Sequence, residues 1–168
     1  MDVTLETPRL LLRQFRAADL DAYAELCADP EVMRYLGTGA TLSRPDAWRS
    51  MAGFLGHWRL LGYGMWALEL KSTGELVGRA GFLDPPGWPG FELGWTLARP
   101  HWGRGYATEA ARRALAYAFE ELGRDRVISL IRHGNERSAQ VALRIGQKLA
   151  GEVDLLGAPA RVYEALRP

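Results

Sequence analysis

The stretch from Glu92 to Arg113, ELGWTLARPHWGRGYATEAARR, constrains this chain more than any other, because it reads as a strand, a sharp glycine turn and then a helix. Phe91, Leu93, Trp95 and Leu97 alternate with Glu92, Gly94, Thr96 and Ala98, the period of two of a half-buried strand. Arg99 and Pro100 stop it, since proline has no N–H to give a ladder. Beyond Gly105, Ala107, Ala110, Ala111, Ala114, Leu115, Ala118 and Leu122 recur three or four apart and make one buried helix face. The connection is Trp102-Gly103-Arg104-Gly105-Tyr106-Ala107, where two glycines permit backbone angles and close approaches that a side chain would block. A helix N-terminus has unpaired N–H groups and partial positive charge, so such a turn can hold a diphosphate, with the amides of Gly103, Arg104, Gly105, Tyr106, Ala107 and Thr108 as donors. Taken alone, the same glycines also read as plain turn chemistry.

At 168 residues the chain is most economically one domain, residues 1–168. Cys27 is the single cysteine, which rules out an internal disulfide and fits a reducing compartment. It lies on the apolar face of an expected helix and reads as a small core residue. Basic and acidic residues nearly cancel, 21 against 20, which gives no reason to expect nucleic-acid or membrane-surface binding. No apolar run approaches the roughly 18 residues that span a bilayer. The opening MDVTLETPRL lacks the basic and apolar regions of a signal peptide, so a cytoplasmic protein is expected. His57, His101 and His133 are too scattered for a metal site, and none is expected.

Along the chain, RLLLR (9–13) reads as a first strand. Leu20, Tyr23, Ala24 and Cys27 recur at helical spacing, with Asp19 placed to cap the start and Asp29-Pro30 to end it. A second helix opens at Ser43-Arg44-Pro45-Asp46, with an expected apolar face of Trp48, Met51, Ala52, Leu55 and Trp58. MWALEL (65–70) and ELVGRAGF (75–82) form an antiparallel hairpin about Lys71–Gly74, and residues 84–90 loop into the central strand. RVISLI (126–131) is a β-branched strand. Asn135 or Ser138 starts a last helix with Ala142 and Ile145 inward, and 149–154 and 161–166 close the chain as strands.

The order strand, Trp-Gly-Arg-Gly-Tyr-Ala, alanine-rich helix, strand, then Asn135-Glu136-Arg137-Ser138 and Ile145-Gly146 resembles the GNAT family of acyl-CoA-dependent N-acyltransferases. RLLLRQF (9–15) extends the likeness to the branch of ribosomal-protein N-terminal acetyltransferases, the RimJ/RimL type. The resemblance implies an α/β (α+β) fold with a mixed, mostly antiparallel sheet of about seven strands and helices on both faces. It implies acetyl-CoA as cosubstrate, with Gly105 and Ala107 at the last two fixed positions of the family's pyrophosphate loop. Trp102 stands where Gln or Arg is usual. The backbones of Trp95, Thr96 and Leu97 would pair with the pantetheine arm, an N–H there polarising the thioester carbonyl, a donor worth about 3 kcal/mol in barrier.

By the same likeness Glu92 is the candidate base, Asn135 a contact to the coenzyme arm, and Ser138 a donor of the proton to the departing thiolate. Against these stand an exposed strand carboxylate for Glu92 and helix capping for Asn135 and Ser138. Gln147 departs from the family's aromatic or apolar residue. An α-amine, pKa about 7.7–8.0, asks less of a base than a lysine at about 10.4, so the expected acceptor is a protein or peptide N-terminus. Polyamine or antibiotic acceptors, a non-catalytic acyl-CoA-binding module and, more remotely, a dinucleotide-binding domain are the alternatives. The sequence leaves a homodimer open.

Overall fold

The computed structural model describes residues 2–168. Among them, eight strands form one sheet in the order β1-β2-β3-β4-β5-β6-β8-β7. The strands are β1 (Leu5–Glu6), β2 (Leu10–Arg13), β3 (Met65–Leu70), β4 (Leu76–Leu83), β5 (Glu92–Leu97), β6 (Arg126–Arg132), β7 (Lys148–Leu155) and β8 (Ala158–Leu166). The helices are α1 (Leu20–Ala28), α2 (Pro30–Met33), α3 (Arg44–Leu61), α4 (Tyr106–Glu120) and α5 (Glu136–Arg144). Every neighbouring pair of strands is antiparallel except β5 and β6.

The two faces of the sheet follow from alternation along each strand. On β3, Trp66, Leu68 and Leu70 join the core that holds Ala110, Ala111, Ala114 and Ala118 of α4, whereas Ala67 joins Tyr23 and Cys27 of α1 and Met51 of α3. The alanines of α4 let the helix lie close on the sheet. Trp66 is fully buried there, edge-on to Trp58, Phe82 and Tyr117 at 5.0 to 5.6 Å. Such pairs contribute about 0.5–1.5 kcal/mol each beyond their burial.

Three expectations change. On α3 the buried residues are Ala47, Met51 and Trp58, with Phe54 packed against the core, while Trp48 is 57% and Leu55 37% exposed. Met51 and Trp58 face the core as expected, but Ala47 and Phe54 take the places expected of Trp48 and Leu55, and Ala52 is exposed. Asp19 does not cap α1; it lies in a short 3₁₀ turn and accepts from the Arg16 amide at 2.7 Å. The short β1 and α2 lie outside the expected elements, and β1 raises the strand number from about seven to eight.

Candidate active site

The central strand is sealed on one edge and open on the other. On the β4 side the register runs from Leu83↔Glu92 to Gly78↔Leu97, so close at Gly78 that a Cβ there would stand 2.2 Å from the Thr96 carbonyl oxygen. On the β6 side only Glu92↔Ile128 pairs, with Ile128 N–H donating to Phe91 O at 3.0 Å. Two residues on, the Ser129 hydroxyl donates to Leu93 O at 2.7 Å and takes the place of a ladder bond. The strands then part. Ala98 N–H donates to Val77 O, so alternation turns the backbone groups of Thr96 towards β4 and those of Trp95 and Leu97 towards the gap. Of the three backbones expected to serve a ligand, two face it; Thr96 offers only its side chain.

The gap opens into a cavity of about 1070 Å³ whose walls include Trp95, Leu97, Gly103, Gly105, Asn135 and Ser138. Gly103 and Gly105 have φ of +74° and +82°, left-handed angles that other residues adopt at a cost. Gly105 is the N-cap of α4, and the helix makes its first bond from Glu109 N–H to Gly105 O. The amides of Tyr106, Ala107 and Thr108 therefore have no carbonyl within the helix. A Cβ at Gly103 would meet nothing within 4 Å, so its surface is open for a ligand to approach.

The loop is pinned from both sides. Trp102 donates its indole N–H to Leu97 O at 2.8 Å, with the Arg137 guanidinium 4.7 Å above its ring. Arg9 donates to Arg104 O at 2.9 Å and to Glu109 Oε2 at 2.7 Å, and lies 4.5 Å over Tyr106. Burial would raise the Glu109 pKa, but hydrogen bonds from Thr7 and Arg9 outweigh it and hold the carboxylate below its ordinary range. The Arg104 side chain is exposed and does not line the cavity.

Glu92 sits in the crotch of the fork, 8% exposed. Burial pushes its carboxyl up to about 7, against the pull of the Trp88 indole, the Leu130 amide and the Arg79 charge. Trp88 donates to Oε2 at 2.7 Å. Glu92 does not itself line the large cavity. On the same face of β5, a Cβ at Gly94 would stand 3.2 Å from Met65 Cε and 4.0 Å from Glu92 Oε1. The expectation of an exposed strand carboxylate does not hold. At the far wall, Asn135 Oδ1 caps α5 by accepting from Ser138 N–H at 3.4 Å, and the half-buried Ser138 side chain faces the cavity.

Residues 9–148 match the family described as Acetyltransferase (GNAT) domain. This chain belongs to the GNAT acetyltransferase family. It is 30% identical to the uncharacterized N-acetyltransferase YoaA of Bacillus subtilis (strain 168), over 88% of this chain and 84% of that protein. An acetyltransferase from Agrobacterium tumefaciens str. C58 superposes with a TM-score of 0.87 at 36% identity, covering 98% of this chain and 95% of that one. RimL, a ribosomal L7/L12 alpha-N-protein acetyltransferase in complex with coenzyme A, shares the fold, with a TM-score of 0.81 at 17% identity over 98% of each chain.

The GNAT fold implies acetyl-CoA binding, and the site fits it: positive-φ glycines, free helix amides and unladdered strand backbone converge on one cavity. Sequence reasoning missed α2 and the segment after it, which supply Glu31, Tyr35 and Leu36 to the same cavity. Tyr35 packs its hydroxyl against Gly134, and Arg132 donates to Gly37 O at 2.8 Å, tying that segment to the end of β6. His57, His101 and His133 hold Tyr63 O, Glu75 and Glu152 respectively. Among the described residues no group of three or more His, Cys, Asp or Glu is placed to hold a metal, and no helix is long and apolar enough to cross a membrane. Cys27 is buried, and burial raises its thiol pKa, so it is a poor nucleophile.

Proposed function

We propose that this GNAT enzyme acetylates a primary amine by direct attack, the acceptor being a protein or peptide α-amine, and that residues 1–168 act as one domain of the RimJ/RimL branch. The observation that carries this reading is the fork in the sheet, which puts strand backbone, glycine loop and the N-terminus of α5 around one cavity while a high-pKa carboxylate sits in the crotch of the fork, set back from the cavity. Acetyl-CoA supplies the activated acetyl group.

The chain's own residues do the rest. Amides of the segment from Gly103 to Thr108 hold the diphosphate through the unpaired N–H groups and positive end of α4. Backbone groups of Trp95 and Leu97 pair with the pantetheine arm, and an N–H there meets the developing negative charge on the carbonyl oxygen, worth about 3 kcal/mol. Trp102 serves by locking the loop to Leu97 rather than by gripping phosphate. Glu92, ionised above about pH 7, takes the ammonium proton through water, since its carboxylate stands back from the cavity. Asn135 steadies the arm, and the Ser138 hydroxyl relays a proton to the thiolate. A base of pKa about 7 suits an α-amine, already roughly a tenth neutral at pH 7, better than a lysine.

Thiol release from acetyl-CoA across a panel of peptide N-termini, polyamines and aminoglycosides tests the reading. Turnover confined to peptide α-amines supports it, and turnover confined to the small molecules reassigns the acceptor. Coenzyme binding without turnover of any amine makes the chain an acyl-CoA-binding module.

A further inference from the structure

Beside the large cavity, on the α1 and α3 face of the sheet, lies a second cavity of about 190 Å³. Leu36 lines both cavities. The small one is walled by Tyr23, Cys27, Ser50 and Arg79, with Tyr23 OH and Ser50 Oγ 3.1 Å apart. Its one charged wall residue is Arg79. That guanidinium has no carboxylate within 4 Å among the described residues. It donates to the Met65 thioether at 3.5 Å and lies 5.1 Å over Phe54, and its Nε is fully buried with no partner. Directly across the β4–β5 ladder, Thr96 Oγ1 is likewise buried and unpartnered, and Thr96 lines the large cavity.

Two neighbouring polar side chains with unmet hydrogen bonds thus stand between the two cavities. Arg79 is half-buried, and even a partly desolvated cation without an anion is costly; a fold that needed the charge for stability would have supplied a carboxylate. This fold does so nearby. Arg13, Ala67, Arg79 and Thr96 lie in one cross-strand row, and Arg13 has both Asp19 and Glu69. Burial raises the pKa values of Tyr23, Cys27 and Glu92, and the Arg79 charge opposes that rise in each.

We propose that Arg79 receives a carboxylate carried by the acceptor, so that this enzyme selects amines bearing an anionic group close to the reacting nitrogen. The inference rests on the amine-acetylating reading above and narrows its substrate class. A carboxylate in the small cavity supplies the missing anion, with whichever of the paired Tyr23 and Ser50 hydroxyls keeps its proton free as a further donor. Polycationic amines meet an uncompensated positive charge and are rejected. The carboxylate has two sources, the α-carboxylate of an amino acid or the side chain of an acidic first residue.

Two matched pairs of acceptors separate them: alanine against alaninamide, and Glu-Ala-amide against Gln-Ala-amide. The quantity read is the kcat/KM ratio within each pair for the wild type divided by that for Arg79→Met, which cancels differences in amine pKa. A quotient of ten or more in one pair, partly retained in Arg79→Lys, is the expected result and names the source. Quotients near one in both pairs overturn the proposal.

Thermal unfolding guards against a merely structural role. Arg79→Met is expected to keep or raise Tm, and a fall of more than about 5 °C would assign the charge to the fold and overturn the proposal. Should no amine be acetylated, the enzymatic reading fails separately. The acetylated forms of both pairs, added with coenzyme A, then decide: an acidic form that raises the wild-type Tm, with no rise from its amide or in Arg79→Met, upholds the anion site. No such difference refutes it.

Discussion

Arg13 and Arg79 occupy the same cross-strand row and the same face of the sheet, yet the fold treats them oppositely. Arg13 is 7% exposed and forms a bidentate pair with Asp19 at 2.8 Å and a bond to Glu69 at 2.6 Å. The Asp19 hydrogen bonds outweigh burial and raise its pKa further still. Arg79 has a thioether and an aromatic ring. One charge is spent on holding β2 and β3 to the turn before α1; the other is left for something the chain does not contain. The difference teaches that satisfaction of hydrogen bonds, more than burial, separates a structural ion from one kept for a ligand.

The contrast breaks if the two arginines respond alike. Arg13→Met strands two carboxylates and should cost about 3–5 kcal/mol, a fall in Tm on the order of 10 °C by thermal unfolding, against no fall for Arg79→Met. Glu92→Gln should lower kcat/KM about 100-fold or more near pH 8 and abolish the acid limb expected of the wild type below about pH 7. An unchanged profile removes Glu92 from the mechanism.

The same carboxyl has a stability consequence of opposite sign. Its pKa rises on folding from 4.5 to about 7, so the native state holds the proton more tightly. Wild-type stability therefore falls as pH climbs between those values, by about 3 kcal/mol, and Glu92→Gln should be free of that loss in denaturant titrations at pH 5 and 8. In a gentler test, Arg79→Met withdraws a charge that favours ionised Glu92, so the acid limb of the rate profile should move to higher pH. Arg9→Met should cost little stability. Arg9 pairs with Glu109 while 47% exposed, and its loss should cost under about 1 kcal/mol. Because Arg9 holds the Arg104 carbonyl, KM for acetyl-CoA should still rise several-fold.

Where the backbone dictates the answer, the sequence is readable. The alternation from Phe91 to Leu97, the two glycines and the alanine stripe of α4 each reflect a single local constraint, and each stands where expected. The fork is not readable, because Trp95 and Leu97 have the same period whether or not β6 follows them; only the register ending at Glu92↔Ile128 shows it. Nor could the sequence say that the Thr96 amide turns to β4, or that the Trp102 indole is spent on Leu97 O. Size alone marks Trp48 and Leu55 for burial, yet Ala47 and Phe54 carry the contact. Arg79, alone between Gly78 and Ala80, has no spacing to mark it; a half-buried charge without a counter-ion is visible only when its surroundings are.

Alternation along β5 sends Leu93, Trp95 and Leu97 to one face and Glu92, Gly94 and Thr96 to the other. On the function proposed above, the nucleotide end of the donor is held mainly by main chain, which mutation scarcely alters, while the acceptor meets replaceable side chains on the opposite face. A lineage built on this strand can therefore drift in what it modifies while its supply of acetyl groups stays untouched.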